Sequence, residues 1–208
     1  GVRATRIPEK KNVLLRSRPV FVTASGMELS EQGNVTRFKE KVQLFQDEIE
    51  LQAGELLFET RDNRISCRGN ADLKFMADKE QVILHGKTLV FDAGELKIVL
   101  EGDARLQQGE NVLTARKIEL AFDREDRLED ITAADQVTFS KKDLSGKAQS
   151  LHWYYTKKTV LFRDAAEITK KETGTTKGQE LRLDLSSNEI SVSSGTDRSE
   201  TIIRQETP

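Results

Sequence analysis

Two histidines, His85 and His152, and a single cysteine, Cys67, are the residues of this 208-residue chain best suited to proton shuttling, nucleophilic attack or metal ligation. Such chemistry needs partners at short range. Neither histidine stands in an HxxxH spacing with a glutamate nearby, and one thiol cannot begin a Cys/His zinc set. His152 lies between Leu151 and Trp153, so in an alternating strand it points away from them. His85 precedes Gly86 in the equivalent place and reads the same way. Cys67 sits in the alternating run that starts at Ile65, which reads as a buried strand position, and one cysteine forms no intrachain disulfide. Paired carboxylates could serve a glycosidase. Asp47 with Glu48, and Glu129 with Asp130, are neighbours in sequence, and neighbours on a strand face opposite ways. Solvation or turn formation is the simpler reading. No GxSxG, Walker A or GxGxxG sequence occurs, and Gly33 and Gly54 stand alone. The expectation is a protein that is not an enzyme, with no catalytic residue, no metal and no cofactor.

Without a reaction to position, the elements must serve a surface. Hydrophobic residues make up only 36% of the chain and charged residues 33%, a balance that suits a thin architecture with much surface per residue. The 33 basic and 35 acidic residues are interspersed, for a net charge of −2. Glu40 interrupts even the run of Arg37, Lys39 and Lys41. A concentrated basic face, the footprint of nucleic-acid binding, is absent, so no nucleic-acid partner is expected. No apolar run approaches the ~20 residues of a membrane helix, and the N-terminus has no hydrophobic stretch of the kind that follows the charged start of a signal peptide.

The organising feature is a repeat. A small residue, then an aliphatic three positions on, then a bulky apolar residue two further, recurs six times. The copies are Ala24/Met27/Leu29, Ala53/Leu56/Phe58, Gly86/Leu89/Phe91, Ala115/Ile118/Leu120, Ala148/Leu151/Trp153 and Gly178/Leu181/Leu183. The small residues are 29, 33, 29, 33 and 30 apart. A polar turn follows each copy, as at Thr60 to Arg64 or Asp123 to Arg127. A second alternating run comes next (Ile65 and Cys67, Ile98 and Leu100, Val160 and Phe162, Ile190 and Val192). A Gly or Asp at 69, 102, 135, 164 or 195 breaks it, and a third run opens at Ala71, Ala104, Val137 or Ala166. The period of two throughout demands strands with one buried face. Pro8, Pro19 and Pro208 all lie near the ends, so the middle keeps its ladder donors. The small residues read as places where strands crowd or bend.

The predicted fold class is therefore all-β: an elongated, twisted β-jelly roll or stacked two-sheet sandwich of about six tandem repeats. A β-helix fits less well, because its coils are shorter and its calcium-binding runs are absent. Open ends would expose strand edges that invite head-to-tail joining. Residues 20–195 form the repeat domain, 1–19 an N-terminal extension and 196–208 a flexible tail. Inward side chains predicted by the alternation are Leu56, Phe58, Leu73, Phe75, Leu89, Phe91, Leu100, Ile118, Leu120, Phe139, Leu151, Trp153, Phe162, Leu181 and Leu183. They make either a plain core or a groove for acyl chains, and alternation does not separate the two. A groove would matter energetically: hiding one 12-carbon chain from water is worth on the order of 9 kcal/mol at about 0.8 per methylene.

The repeat resembles the OstA/LptA family of lipopolysaccharide-transport proteins over roughly Val20 to Gly195. The clearest stretch carries Phe38, Val42, Leu44, Ile49, Leu51, Ala53 and Leu56, similar to the family pattern F-x-G-x-V-x-L-x-Q-G-D…L-x-A-D-x-L. Glu40 stands at the usual Gly and Gly54 at the usual Asp. The pieces from Cys67 through Gly69 to Ala71, and from Leu100 through Gly102 and Leu106 to Gly109, match as well. The resemblance implies a periplasmic, slightly twisted, open β-jelly roll that binds lipopolysaccharide, with lipid A acyl chains lying in a groove lined by the fifteen inward residues. It implies partners too. Jelly-roll proteins of the Lpt pathway, or further copies of the chain, would stack end to end into a bridge between inner and outer membranes. LptC and the N-terminal part of LptD share the fold. No membrane helix and no C-terminal barrel accompany the repeats, which puts an LptA-like reading first and LptC-like or LptD N-terminal modules second. A self-assembling β scaffold with a closed core is the competing class. The segment from Arg6 to Leu15 does not read as the start of a secreted mature chain, and the copy at Ala24 begins mid-pattern. Both leave room for further repeats upstream in a longer protein.

Overall fold

The computed structural model describes residues 1–6, 19–30, 34–192 and 200–202. The 196–208 tail, most of the 1–19 extension, Gly33 and Gly195 lie outside the described residues or at their margin. Fifteen strands form one antiparallel sheet among the described residues. Five short ones begin or end it: β1 (Val2–Arg6), β2 (Val20–Ala24) and β3 (Gly26–Leu29) at the N-terminal side, β14 (Ile190–Val192) and β15 (Glu200–Ile202) at the other. Between lie ten long strands of eleven to fourteen residues: β4 (Val35–Gln46), β5 (Ile49–Glu59), β6 (Arg64–Ala77), β7 (Glu80–Asp92), β8 (Lys97–Gln108), β9 (Asn111–Phe122), β10 (Leu128–Lys141), β11 (Leu144–Tyr154), β12 (Thr159–Lys170) and β13 (Gly174–Asp184). Each long strand pairs with the next, a continuous meander. Thirteen successive strands at ~4.8 Å spacing give a sheet about 60 Å long before twist. Antiparallel pairing throughout excludes the β-helix, whose coils stack in parallel.

The long strands correct one element of the sequence reading. The second and third alternating runs of each copy are not separate strands. Ile65 and Cys67 share β6 with Ala71, Leu73 and Phe75, and Gly69 between them bends the strand without ending it. The cause is a pair of consecutive left-handed residues at the middle of every even long strand: Glu40 and Lys41, Gly69 and Asn70, Gly102 and Asp103, Asp135 and Gln136, Asp164 and Ala165. At each pair two residues oppose a single residue on the neighbour, the count of a β-bulge. Arg68 pairs with Thr88 and Ala71 with Gly86, for example, leaving two residues against Lys87 alone. Gly, Asn and Asp tolerate this conformation best, which is why the sequence looked broken there.

The small residue of each copy sits beside the bulge. Ala53, Gly86, Ala115, Ala148 and Gly178 all flank the register shifts, and Ala24 precedes the bend at Ser25, whose N–H donates to Lys39 O and Glu40 O. Crowding is the reason: a Cβ on Gly86 would lie 3.2 Å from Thr88 O and 3.4 Å from Leu100 Cβ. At the two sides of the sheet the corner becomes a gap. β2 and β3 both pair with β4, and β14 and β15 both pair with β13.

A row of aligned corners folds the sheet over its apolar face into two layers. Contacts between residues that are not ladder partners demonstrate it. Phe139, in the second half of β10, meets Trp153 in the second half of β11 and Phe162 in the first half of β12, with ring centroids 6.0 and 5.9 Å apart and near-perpendicular planes. Gly146 faces Phe162 so closely that a Cβ there would overlap the ring. One apolar cluster runs from Val20 to Leu183 between the layers. Gly146→Val is expected to destabilise the fold by about 1–3 kcal/mol through overpacking against a ring with no free space. Urea midpoints of the two proteins check this, and an unchanged midpoint would contradict close apposition of the layers.

Candidate functional site

All fifteen predicted inward residues are buried and belong to the single interlayer cluster. Twelve of them line one layer: Leu56, Phe58, Leu89, Phe91, Leu100, Ile118, Leu120, Leu151, Trp153, Phe162, Leu181 and Leu183. Leu73, Phe75 and Phe139 line the other. The sequence reading missed most of that second wall, including Leu44, Leu51, Leu84, Leu106, Leu113 and Ile168, all buried. The signal was present. Ile49 and Leu51 alternate just before Ala53, but a repeat that opens on the small residue counts from the corner onward and leaves out the half-strand before it. The side chains of the two walls touch, so the interior in this state is an apolar strip with its walls in contact.

The layers are joined covalently at the corners only through the strands themselves, and the hairpin turns lie along the opposite side, which forms a mouth. Three turns of the first layer open with an aspartate that accepts backbone N–H groups: Asp92 from Gly94 and Glu95, Asp123 from Glu125 and Arg127, Asp184 from Ser186 and Ser187. These donors, with the Arg127 side chain at Asp123, hold the Asp123 and Asp184 carboxyls below the usual carboxylate range. Polar clasps cross the mouth, and two of them are the following. Gln108 Nε2, at the end of β8 in the second layer, donates to the Tyr155 hydroxyl just beyond β11 in the first. Lys141 Nζ, at the end of β10, donates to Leu185 O and to Asn188 Oδ1, the latter at 2.9 Å.

Two openings lie along the mouth among the described residues. The larger, about 500 Å³, lies between the β4–β5, β6–β7 and β9–β10 turns; Ile49, Phe75, Phe122 and Leu128 of the core form its floor. The smaller, about 120 Å³, lies at the β10–β11 and β12–β13 turns with Asn188, over Leu144 of the core. Both lead from solvent to the interlayer strip.

The candidate chemical residues face elsewhere. His85 Nδ1 lies 2.7 Å from Asp72 Oδ1, and His152 Nε2 lies 3.0 Å from Asp130 Oδ1, both on the outer surface as the alternation predicted. His152 also stacks on Tyr154, centroids 3.9 Å apart. The two pairs sit on different strands and share no third group; among the described residues no cluster of three or more His, Cys, Asp or Glu could hold a metal ion. Cys67 is buried among apolar neighbours, which pushes its thiol up to about 12. Asp47 and Glu48 occupy the β4–β5 turn at the larger opening, while Asp130 of the second acidic pair is bound to His152.

Comparisons with known proteins add to this geometry. The sequence profile of the family described as LptA/(LptD N-terminal domain) LPS transport protein matches residues 21–126 and 97–189. The crystal structure of LptH, "the LptA homologous periplasmic component of the conserved lipopolysaccharide transport device from Pseudomonas aeruginosa", is similar to this chain with a TM-score of 0.51 and 18% identity. The match covers 59% of this chain and 94% of that one, and at this identity it speaks to the fold alone. No curated protein matches by sequence.

Tyr155→Phe removes one clasp and strands the buried Gln108 amide, for an expected loss of about 1–3 kcal/mol in urea unfolding; no loss would mean that the clasp contributes nothing to closure. Cys67 carries a pH signature. Its folded value near 12 exceeds the ordinary value of 9.0, so the stability from burying the neutral thiol is complete below pH 9 and drains away as pH rises towards 12. The stability advantage of the wild type over Cys67→Ala should shrink by about 1.4 kcal/mol for each unit above pH 9. Parallel denaturation series at pH 7 to 10.5 measure it, and a constant gap would refute the assigned environment.

Proposed function

Because the chain belongs to the family of LptA and the LptD N-terminal domain, the LPS transport proteins, we propose that it is a lipopolysaccharide carrier of the periplasm that shields lipid A acyl chains between its two layers. The observation that carries this reading is the single apolar strip running the length of the sheet beneath a mouth that polar clasps cross. Acyl chains would enter by parting the layers at the mouth and would take the place of the wall-to-wall contacts made by Phe91, Leu120 and Phe139. Burial at about 0.8 kcal/mol per methylene supplies the affinity. Such a carrier performs no reaction, and the energy for movement comes from a partner ATPase.

The ends of the sheet support a position in a bridge between inner and outer membranes. β1, β3, β14 and β15 each have one unpaired edge among the described residues, and β3 leaves Met27 and Leu29 largely exposed. Such edges accept another strand. We assign them to end-to-end stacking with jelly-roll proteins of the same pathway or with further copies of this chain.

A photo-crosslinking amino acid at Phe91, Leu120 or Phe139 should form adducts with lipopolysaccharide, whereas the same probe at the outward positions Val99 and Thr138 should not. Normally folded variants without interior adducts would refute the carrier reading and favour the closed β scaffold.

A further inference from the structure

The larger opening combines an apolar floor with an acidic rim. Ile49, Phe75, Phe122 and Leu128 form the floor, and Phe75 meets Phe122 edge-on across the layers with centroids 6.0 Å apart. Met76 beside them is 41% exposed. Asp47, Glu48, Asp78, Glu125 and Asp126 line it with one cation, Arg127, which is held by Asp123 and Glu125 at 2.7 Å each. Counted whole, the three turns at 47–48, 78–79 and 123–127 carry six carboxylates against Lys79, Arg124 and Arg127, a net charge of −3. Such a groove fits a partner that is cationic and carries hydrocarbon.

The chain holds such a segment, and the topology roots it at the opening. Residues 7–18, which join β1 to β2, lie outside the described residues, and the function proposed above gives them no role. They carry Lys10, Lys11, Arg16 and Arg18 against Glu9, a net charge of +3, around the apolar run Val13, Leu14 and Leu15. Arg6 and Val20 on either side are ladder partners, so the segment leaves and re-enters the sheet at one place. That place adjoins the β4–β5 turn. Phe21 pairs with Phe45 in the antiparallel ladder of β2 and β4, and Pro19 and Asp47 each lie two residues beyond that pair on the same side. A direct turn from β1 to β2 needs about two residues. Twelve allow an excursion of about six residues each way, or about 20 Å. From β2 to β6 is three strand spacings, about 14 Å, so the apolar run at the middle of the segment reaches the floor between the β4–β5 and β6–β7 turns.

We propose that the larger opening is an intramolecular docking site for residues 7–18, with Val13, Leu14 and Leu15 on its apolar floor and the flanking lysines and arginines against its carboxylate rim. The apolar run supplies most of the attraction, and the exposed ion pairs, individually weak, set the place. The site does not depend on what the interlayer strip carries.

A photo-crosslinking amino acid at Leu14 of the full chain, followed by peptide mapping, tests this. Links should fall within one molecule, on the stretches around Met76 and Leu128. Lys10→Gln with Lys11→Gln should lower their yield about fivefold, and Glu48→Gln with Glu125→Gln should do the same from the other side. Lys147→Gln with Lys177→Gln, an equal change of net charge on the outer face, should leave it unchanged. Added salt should lower the yield. Links to the outer face around the exposed Phe21 and Phe45 would overturn the docking site by placing the segment elsewhere. Links between two copies alone would overturn it by giving the opening to a second chain, and links confined to β1 and β2 would leave the opening without this occupant and overturn it outright. An equal loss in the Lys147 and Lys177 pair would overturn it as well, by assigning the yield to overall charge. None of these outcomes touches the lipid adducts at Phe91, Leu120 or Phe139, which test the carrier reading separately.

Discussion

A sheet that is apolar on one face has to cover that face, and this chain does so with itself. The device is the corner: two left-handed residues opposite one residue of the next strand, beside a small residue, repeated at the middle of β4, β6, β8, β10 and β12. Without the corners the ten long strands would form an open ribbon with its hydrophobic face in water. With them the two halves of every strand face each other. The apolar side chains of Leu56 and Leu51, five residues apart on β5, then belong to opposite walls of one interior. The cost of placing Asp135, Asp164 or Asn70 in the left-handed region is of order 1 kcal/mol each, small beside the ~1.5–3 kcal/mol gained by burying each large apolar side chain of the walls.

The same constraint fixes where the protein can open. The corner side is continuous backbone along every strand, so the walls can part only on the side of the hairpin turns. That is also where the polar links between layers are found. Gln108 with Tyr155, and Lys141 with Leu185 and Asn188, connect strands three apart in the sheet order, a stagger that the twist of the sheet produces. Hydrogen bonds of this sort are individually modest. A protein that must admit hydrocarbon and release it again is better served by a mouth held with a few such links than by one sealed with an apolar seam.

Surface chemistry follows a simpler rule. The outward residues of paired strands form cross-strand ion pairs such as Lys74 with Glu50, Arg163 with Glu180 and Lys177 with Glu167. The two histidines take part in the same ladder pattern through Asp72 and Asp130. These contacts explain the 33% of charged residues without invoking any reaction: a long two-layer sheet has two outer faces, and both are wet.

Much of this was legible in the sequence, and the reasons are local. The period of two assigns Leu56, Phe91, Leu120 and Phe162 to one face whatever the tertiary arrangement, because a strand has no other way to divide its side chains. The spacing of Ala53, Gly86, Ala115, Ala148 and Gly178 marks the corners because crowding there excludes larger groups. Other features were not local. Gly69 and Asp164 looked like ends of strands, since a left-handed residue ends a strand or bends it depending on whether the next strand continues the pairing. The second wall, with Leu44, Leu84 and Ile168, became a wall only once the corner folded it over the first. The larger opening was dispersed over turns far apart in the chain, those of Asp47, Asp78 and Arg127. Sequence alone determined the faces and the bends, because both are properties of a strand and its immediate neighbours; the tertiary structure decided what the faces enclose and where they open, because those depend on which distant turns the twist brings together.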